Sequence, residues 1–196
     1  MHWRRSRSGA RRKLHRARRW LGALGILAAS LLALEATARW SVALAIALAP
    51  NALASAPTAA FSLPAELARR GARRIETHVG SPPATLVSWL IEPRQQPARG
   101  SIVLLHGVRQ DRRSLSALGA AFSDAGYRSI LIDLRGHGES SGRYLTYGSV
   151  EPGDVSSVLD DVAARGDVLG PVGAFGFSYG AAVALDLGAR DARVCA

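Results

Sequence analysis

The pentapeptide Gly176-Phe177-Ser178-Tyr179-Gly180 carries the most specific chemistry in this chain. It follows an apolar run, Pro171–Phe177, and opens a stretch of small residues, Gly180, Ala181, Ala182 and Ala184. The G-x-S-x-G string alone is a weak signal; its position between a strand and a helix gives it meaning. A serine on a sharp strand-to-helix turn has its hydroxyl pushed into a cleft. Glycines two residues to either side let strand and helix approach. The helix N-terminus then places partial positive charge where an oxyanion would develop. The bland alternative is a glycine-rich turn with an incidental serine.

A second element supports the first. His106-Gly107-Val108 follows an apolar run, Ser101–His106. In this arrangement one oxyanion donor is the amide after the nucleophile, and the other comes from the loop after an earlier strand. The backbone N–H groups of Tyr179 and Val108 are thereby nominated. Only amides are required, so the valine is no obstacle. His106, next to the oxyanion glycine, reads as a residue that holds loops together by hydrogen bonds. Asp133, at a strand end, reads as structural. Glu151 and Asp154 fall in the first turn of a predicted helix, where acids favour the dipole. Capping is the first reading for them, and support of the site is the other.

The elements that must position these residues alternate in type. Arg74–Val79 and Thr85–Ile91 read as strands around a Ser81-Pro82-Pro83 turn, and Ser101–His106 as a buried parallel strand. Ser114 caps a predicted helix with Leu115, Leu118, Phe122 and Ala125 on one face and Gly126 as its stop. Ser129–Leu134 is the next strand. Ser149 caps a second helix, with Val155, Val158, Leu159 and Val162 at i, i+3, i+4 and i+7, ending near Gly166. Pro171–Phe177 is a strand, Tyr179–Ala189 a helix, and Arg193–Ala196 the opening of another strand. The alternation predicts an α/β fold with a mostly parallel sheet, and chemistry at the carboxyl ends of the strands.

These motifs in order, LLHGVRQDRRS, IDLRGHGESSG and GAFGFSYGAA, resemble the α/β-hydrolase superfamily over residues 75–196. The segment Tyr147-Gly148-Ser149-Val150-Glu151-Pro152-Gly153-Asp154 is similar to the YGxxExxD stretch of its membrane-anchored or exported BEM46/ABHD13-like branch, often called serine aminopeptidase-like. The resemblance implies hydrolysis of an ester, thioester or amide of a small-molecule or lipid-like acyl substrate. It implies a Ser-His-Asp triad with Ser178 as nucleophile, and neither cofactor nor metal. His137, in Arg135-Gly136-His137-Gly138, resembles a structural turn of the family.

A serine nucleophile needs a base, and in this fold the order is serine, acid, histidine. All five histidines (His2, His15, His78, His106, His137) precede Ser178, and the eighteen residues after it contain only Asp186 and Asp191 as acids. Asp186 lies eight positions on, about 12 Å by helical rise, and is not a credible triad acid. The resemblance implies an eight-stranded sheet, whereas this sequence stops at its sixth strand. The expectation is therefore a fragment of a longer hydrolase, with little triad-dependent activity of its own. The alternative is a non-catalytic membrane-anchored binding module or a decayed hydrolase. The single Cys195 allows neither an internal disulfide nor a cysteine-based zinc site, and reads as a small apolar strand residue.

Charge separates the N-terminus from the rest. Of 25 Lys+Arg in the 196 residues, nine (Arg4, Arg5, Arg7, Arg11, Arg12, Lys13, Arg16, Arg18, Arg19) lie in residues 1–20 without an acid; the remainder is nearly neutral. A wholly basic, nucleic-acid-coating domain is excluded by that imbalance. Residues 20–49 are almost wholly apolar and, as one helix, would span about 45 Å, enough for a bilayer. Their only charges, Glu35 and Arg39, stand at i and i+4 in the favourable order. The basic run predicts a cytoplasmic N-terminus and a hydrolase domain outside. A cleaved signal peptide, ending near Ala52-Leu53-Ala54 or Ala54-Ser55-Ala56, and a hairpin of helices 20–34 and 40–49 are the alternatives. A nucleic-acid arm is disfavoured because an apolar span follows directly. The predicted organisation is a basic tail (1–19), a transmembrane anchor (20–49), a linker with a short helix Pro64–Arg70 (50–74), and the N-terminal part of the hydrolase domain (75–196).

Overall fold

The structure is a computed structural model that describes residues 6–50 and 62–196. It divides into two compact units, one ending at Ile46 and the other beginning at Ala47.

Helix α1 (Ser6–Ala47) dominates the first unit. Ala, Leu and Arg are strong helix formers and no proline interrupts them. Glu35 and Arg39 pair at 2.6 Å, and the Thr37 and Ser41 hydroxyls donate to the Leu34 and Thr37 carbonyls. The helix is unbroken through residues 35–39, which overturns the alternative of two short helices. The 30 residues Arg18–Ala47 are long and apolar enough to cross a membrane, and none is buried within the protein. The small-residue motifs of the signal-peptide alternative, residues 52–56, and residues 51–61 of the expected linker lie outside the described residues.

The second unit is built on a five-stranded sheet. The strands are β1 (Arg73–Val79), β2 (Ala84–Ile91), β3 (Gly100–Leu105), β4 (Tyr127–Ile132) and β5 (Val172–Gly176). Their spatial order is β1-β2-β4-β3-β5. β3 pairs in parallel with β4 and β5, while β2 is antiparallel to both its neighbours, β1 and β4. Only β2 therefore runs against the rest, and the sheet is mostly parallel.

Among the described residues four helices accompany the sheet: α2 (Ala65–Arg69), α3 (Ser116–Asp124), α4 (Glu151–Ala164) and α5 (Tyr179–Arg190). Alternation along the strands sends Val103, Leu105, Ile130 and Ile132 into a core with Val155, Val158, Leu159, Val162, Val183 and Leu187. Leu104, Leu131, Trp89 and Ile91 face the opposite core with Leu67 and Leu115. Strands buried on both faces read as continuous apolar runs, which is why SIVLL and SILI were legible.

Two helix starts differ from expectation. Asp111, not Ser114, caps the chain after β3: its carboxylate accepts from the Arg113 amide and opens a 3-10 turn, Arg112–Leu115, ahead of α3. Ser114 donates its hydroxyl to the Asp111 carbonyl instead. At α4 the N-cap position is Val150, without a side-chain cap. At the far end, Val194 bridges Val172 in parallel and the Cys195 amide donates to the Val172 carbonyl at 2.9 Å, so the expected next strand begins to pair outside β5.

Candidate active site

The carboxyl ends of β3 and β5 meet at the turn that carries Ser178. The β3–β5 ladder continues one step past Gly176, where the Phe177 amide donates to the Leu105 carbonyl at 3.0 Å. The chain then turns sharply. Ser178 has φ 51° and ψ −112°, a left-handed conformation that L-residues avoid, and α5 starts at the next residue. Such a backbone persists only where its surroundings over-determine it.

Glycine at 176 and 180 is what permits the turn. A Cβ on Gly176 would overlap the Gly180 backbone, and one on Gly180 would overlap the Leu105 carbonyl and stand 2.6 Å from that of His106. Strand β5, the end of β3 and the first turn of α5 therefore touch backbone to backbone. Ser178 is exposed, and its hydroxyl has no hydrogen-bond partner among the described residues.

The loop after β3 lies against this elbow. A Cβ on Gly107 would stand 3.2 Å from the Phe177 ring and 3.4 Å from its carbonyl. The Gly107 amide is occupied by Gln110 Oε1 at 3.0 Å, and its carbonyl accepts from His106 and from the Gln110 amide. Neither the Val108 nor the Tyr179 amide donates a hydrogen bond among the described residues. Both expected donors are thus uncommitted, one in the loop after β3 and the other at the first residue of α5.

The two domain histidines near the site are buried. The Leu134 amide donates to His106 Nε2 at 3.0 Å, so the proton sits on Nδ1, which donates to the Gly107 carbonyl at 2.8 Å. Both ring nitrogens are engaged: Nε2 joins the loop after β3 to the one after β4, and Nδ1 closes on the carbonyl of the next residue. Burial pushes the His106 pKa down. His137 donates from Nδ1 to the Arg135 carbonyl at 3.0 Å, leaving its buried Nε2 without a partner. Burial, aided by His106 4.9 Å away between ring centroids, pushes it down to about 4. The His137 ring also packs on Tyr179, which meets Tyr147 edge-on. Burial and the Glu151 carboxylate push the Tyr179 phenol well up.

The carboxylates around the site organise loops. Asp133 accepts from the Arg112 amide at 2.7 Å and the Glu139 amide at 2.8 Å, and pairs with the fully buried Arg112 guanidinium. That guanidinium lies over Trp89, 4.4 Å from the ring centroid, and also pairs with Glu139. A side chain at Gly138 would collide with the Asp133 carboxylate. Asp154 takes a buried two-pronged ion pair from Arg135, at 2.7 and 2.8 Å, rather than capping α4. Glu151 reaches back to the Thr146 amide and hydroxyl and the Gly148 amide, closing the preceding loop. Asp186 pairs with Arg190 on α5 at 2.8 Å. Sequence reasoning missed Arg112 and Arg135, because their partners are 21 and 19 residues away and no local pattern announces the pairs.

A parallel α/β sheet carrying a serine elbow after β5 defines an α/β-hydrolase fold. The family described as serine aminopeptidase, S33, matches residues 96–196, and the chain belongs to it. The chain is 30% identical over 95 residues to the uncharacterized protein YqkD of Bacillus subtilis strain 168, covering 48% of this chain and 30% of that one. The Pyrococcus furiosus esterase Pf2001 superposes with a TM-score of 0.59 at 23% identity, over 68% of this chain and 52% of the esterase. An alpha-beta serine hydrolase homologue from Coxiella burnetii gives 0.51 at 20% identity, over 60% and 58%. At these identities the structural likenesses show the fold. The chain spans about half the length of these two structures and less than a third of YqkD.

Proposed function

We propose that the chain carries the nucleophile and oxyanion hole of a serine hydrolase acting on an ester, thioester or amide. The left-handed backbone of Ser178, wedged between two glycines that admit no side chain, is the observation that carries this reading. Ser178 Oγ attacks the acyl carbon and its proton passes to a base. The amides of Val108 and Tyr179 hold the oxyanion, the leaving group departs protonated, and water releases the acyl group. Neither cofactor nor metal enters this scheme.

The base is not among the described histidines near the elbow, since His106 has both nitrogens engaged and His137 is held neutral in the core. Residues 1–196 alone are accordingly proposed to turn over slowly, with only the ~10³–10⁴-fold advantage over water that an oxyanion hole and binding supply. The same observation favours a second reading, a binding module for acyl ligands.

Helix α1 supports the BEM46/ABHD13-like, membrane-anchored assignment: a basic cytoplasmic tail (1–19), a single-pass anchor within 20–49, a linker (50–74), and the hydrolase domain (75–196) outside. The substrate is then a small-molecule or lipid-like acyl compound, and nucleic acid is no partner. The test is a fluorophosphonate probe together with an activated ester. The hydrolase reading expects slow labelling at Ser178, abolished in Ser178→Ala. Labelling that survives Ser178→Ala refutes Ser178 as nucleophile. Rapid ester turnover lost in that variant refutes the proposed low activity. No labelling of the folded chain at any concentration supports the binding module.

A further inference from the structure

Residues 6–19 of the basic tail and the apolar span are one continuous helix, so the charges along it stand at fixed heights relative to the span. Trp20 and Trp40 are 70% and 76% exposed and twenty residues apart, a rise of about 30 Å. That equals the thickness of the ~30 Å hydrocarbon core, whose two boundaries tryptophan favours. The Glu35–Arg39 pair then falls within about 8 Å of the Trp40 boundary, where an arginine can reach headgroups.

With Trp20 at the other boundary, Arg19, Arg18 and Arg16 stand within about 6 Å outside it, the depth of one headgroup layer. Lys13 stands about 10 Å out, within roughly one Debye length of that layer. No carboxylate occurs before Glu35, so these charges have no local counter-ion. At ~100° per residue, with Arg18 near 20°, Arg19 falls near 120°, Arg16 near 180° and Lys13 near 240°. Charge therefore surrounds the axis. A helix lying flat on a bilayer would segregate charge to one face, and a nucleic-acid reader would concentrate it on one face too. A collar of charge suits a helix standing upright with headgroups on every side.

We propose that residues 13–19 form a binding collar for the phosphate-bearing headgroups of anionic lipids, centred on Arg16, Arg18 and Arg19. Three arginines can each take a phosphate with paired donors, which lysine cannot. The proposal rests on α1 crossing the membrane, and the experiment separates the two.

The full chain is reconstituted into equimolar phosphatidylcholine–phosphatidylglycerol vesicles. Alkaline carbonate extraction reports whether it is embedded, and native mass spectrometry after mild detergent release counts the lipids retained. The collar predicts an embedded chain enriched in phosphatidylglycerol. Preference should fall about fivefold per arginine in the Arg16→Gln, Arg18→Gln, Arg19→Gln series, and recover only in part when the same positions are lysine, which restores the charge but not the paired donors. Extraction by carbonate refutes the span itself. An embedded chain holding the two lipids in bulk proportion overturns the collar, and enrichment indifferent to the glutamine series overturns its location. Retained RNA that the same substitutions release, and that phosphatidylglycerol vesicles do not displace, overturns it in favour of a nucleic-acid arm.

Discussion

Replacing Ser178 with glycine removes the hydroxyl and the Cβ together, whereas Ser178→Ala removes the hydroxyl alone. At φ 51°, ψ −112° a residue with a Cβ carries about 1–2 kcal/mol of backbone strain. Glycine relieves that strain but costs about 0.5–1 kcal/mol through the greater freedom of its unfolded chain. The hydroxyl is exposed and makes no hydrogen bond among the described residues, so its loss should shift stability by less than about 0.5 kcal/mol. Ser178→Gly should therefore be more stable than Ser178→Ala by about 1 kcal/mol, a rise of roughly 2–4 °C in Tm for a unit of this size. Thermal unfolding followed by the fluorescence of Trp89, fully buried in the sheet, reads this difference. Both variants should lose the fluorophosphonate label. A Ser178→Gly protein that melts with or below Ser178→Ala would refute the reasoning, because the elbow would then hold no strain.

Three further outcomes follow from the packing. Gly180→Ala drives a Cβ into the Leu105 and His106 carbonyls and should cost about 3 kcal/mol or more, while Gly188→Ala on the same helix meets only Val194 at 3.8 Å and should be neutral or stabilising by up to about 1 kcal/mol in urea unfolding. His137 binds its proton near pH 4 when folded and near 6.5 when unfolded, so its contribution is complete above pH 6.5 and is lost as pH falls towards 4. Stability at pH 5 should be about 2 kcal/mol below that at pH 7.5, and His137→Asn, which can keep a donor towards the Arg135 carbonyl, should flatten that slope. Arg135→Ala leaves the Asp154 carboxylate buried and unpaired and should cost about 3–5 kcal/mol, and the cost should shrink sharply when Asp154→Asn is introduced alongside it.

The elements were legible where local pattern and burial coincide. The i, i+3, i+4, i+7 set in α4 is fully buried, and the glycine-flanked serine stands on a strand-to-helix turn because glycine spacing and small residues are local features. Caps were read less well. Asp111 competes with Ser114, and Val150 occupies the position next to Ser149, because the loop's path rather than residue type decides which side chain reaches a free amide.

The sequence by itself determined the α/β alternation, the identity of the nucleophile candidate, the two amides proposed to serve it and an apolar segment long enough to span a bilayer. Each is a property of residues near one another in the chain. Only the tertiary structure decided that His106 binds Leu134 and that His137 is buried, that Asp154 belongs to Arg135 and Asp133 to Arg112, and that Gly180 lies against the end of β3. Those facts depend on which distant segments the sheet order β1-β2-β4-β3-β5 brings together, and the free energy of a buried charge or a missing side chain is set by neighbours that no local spacing names.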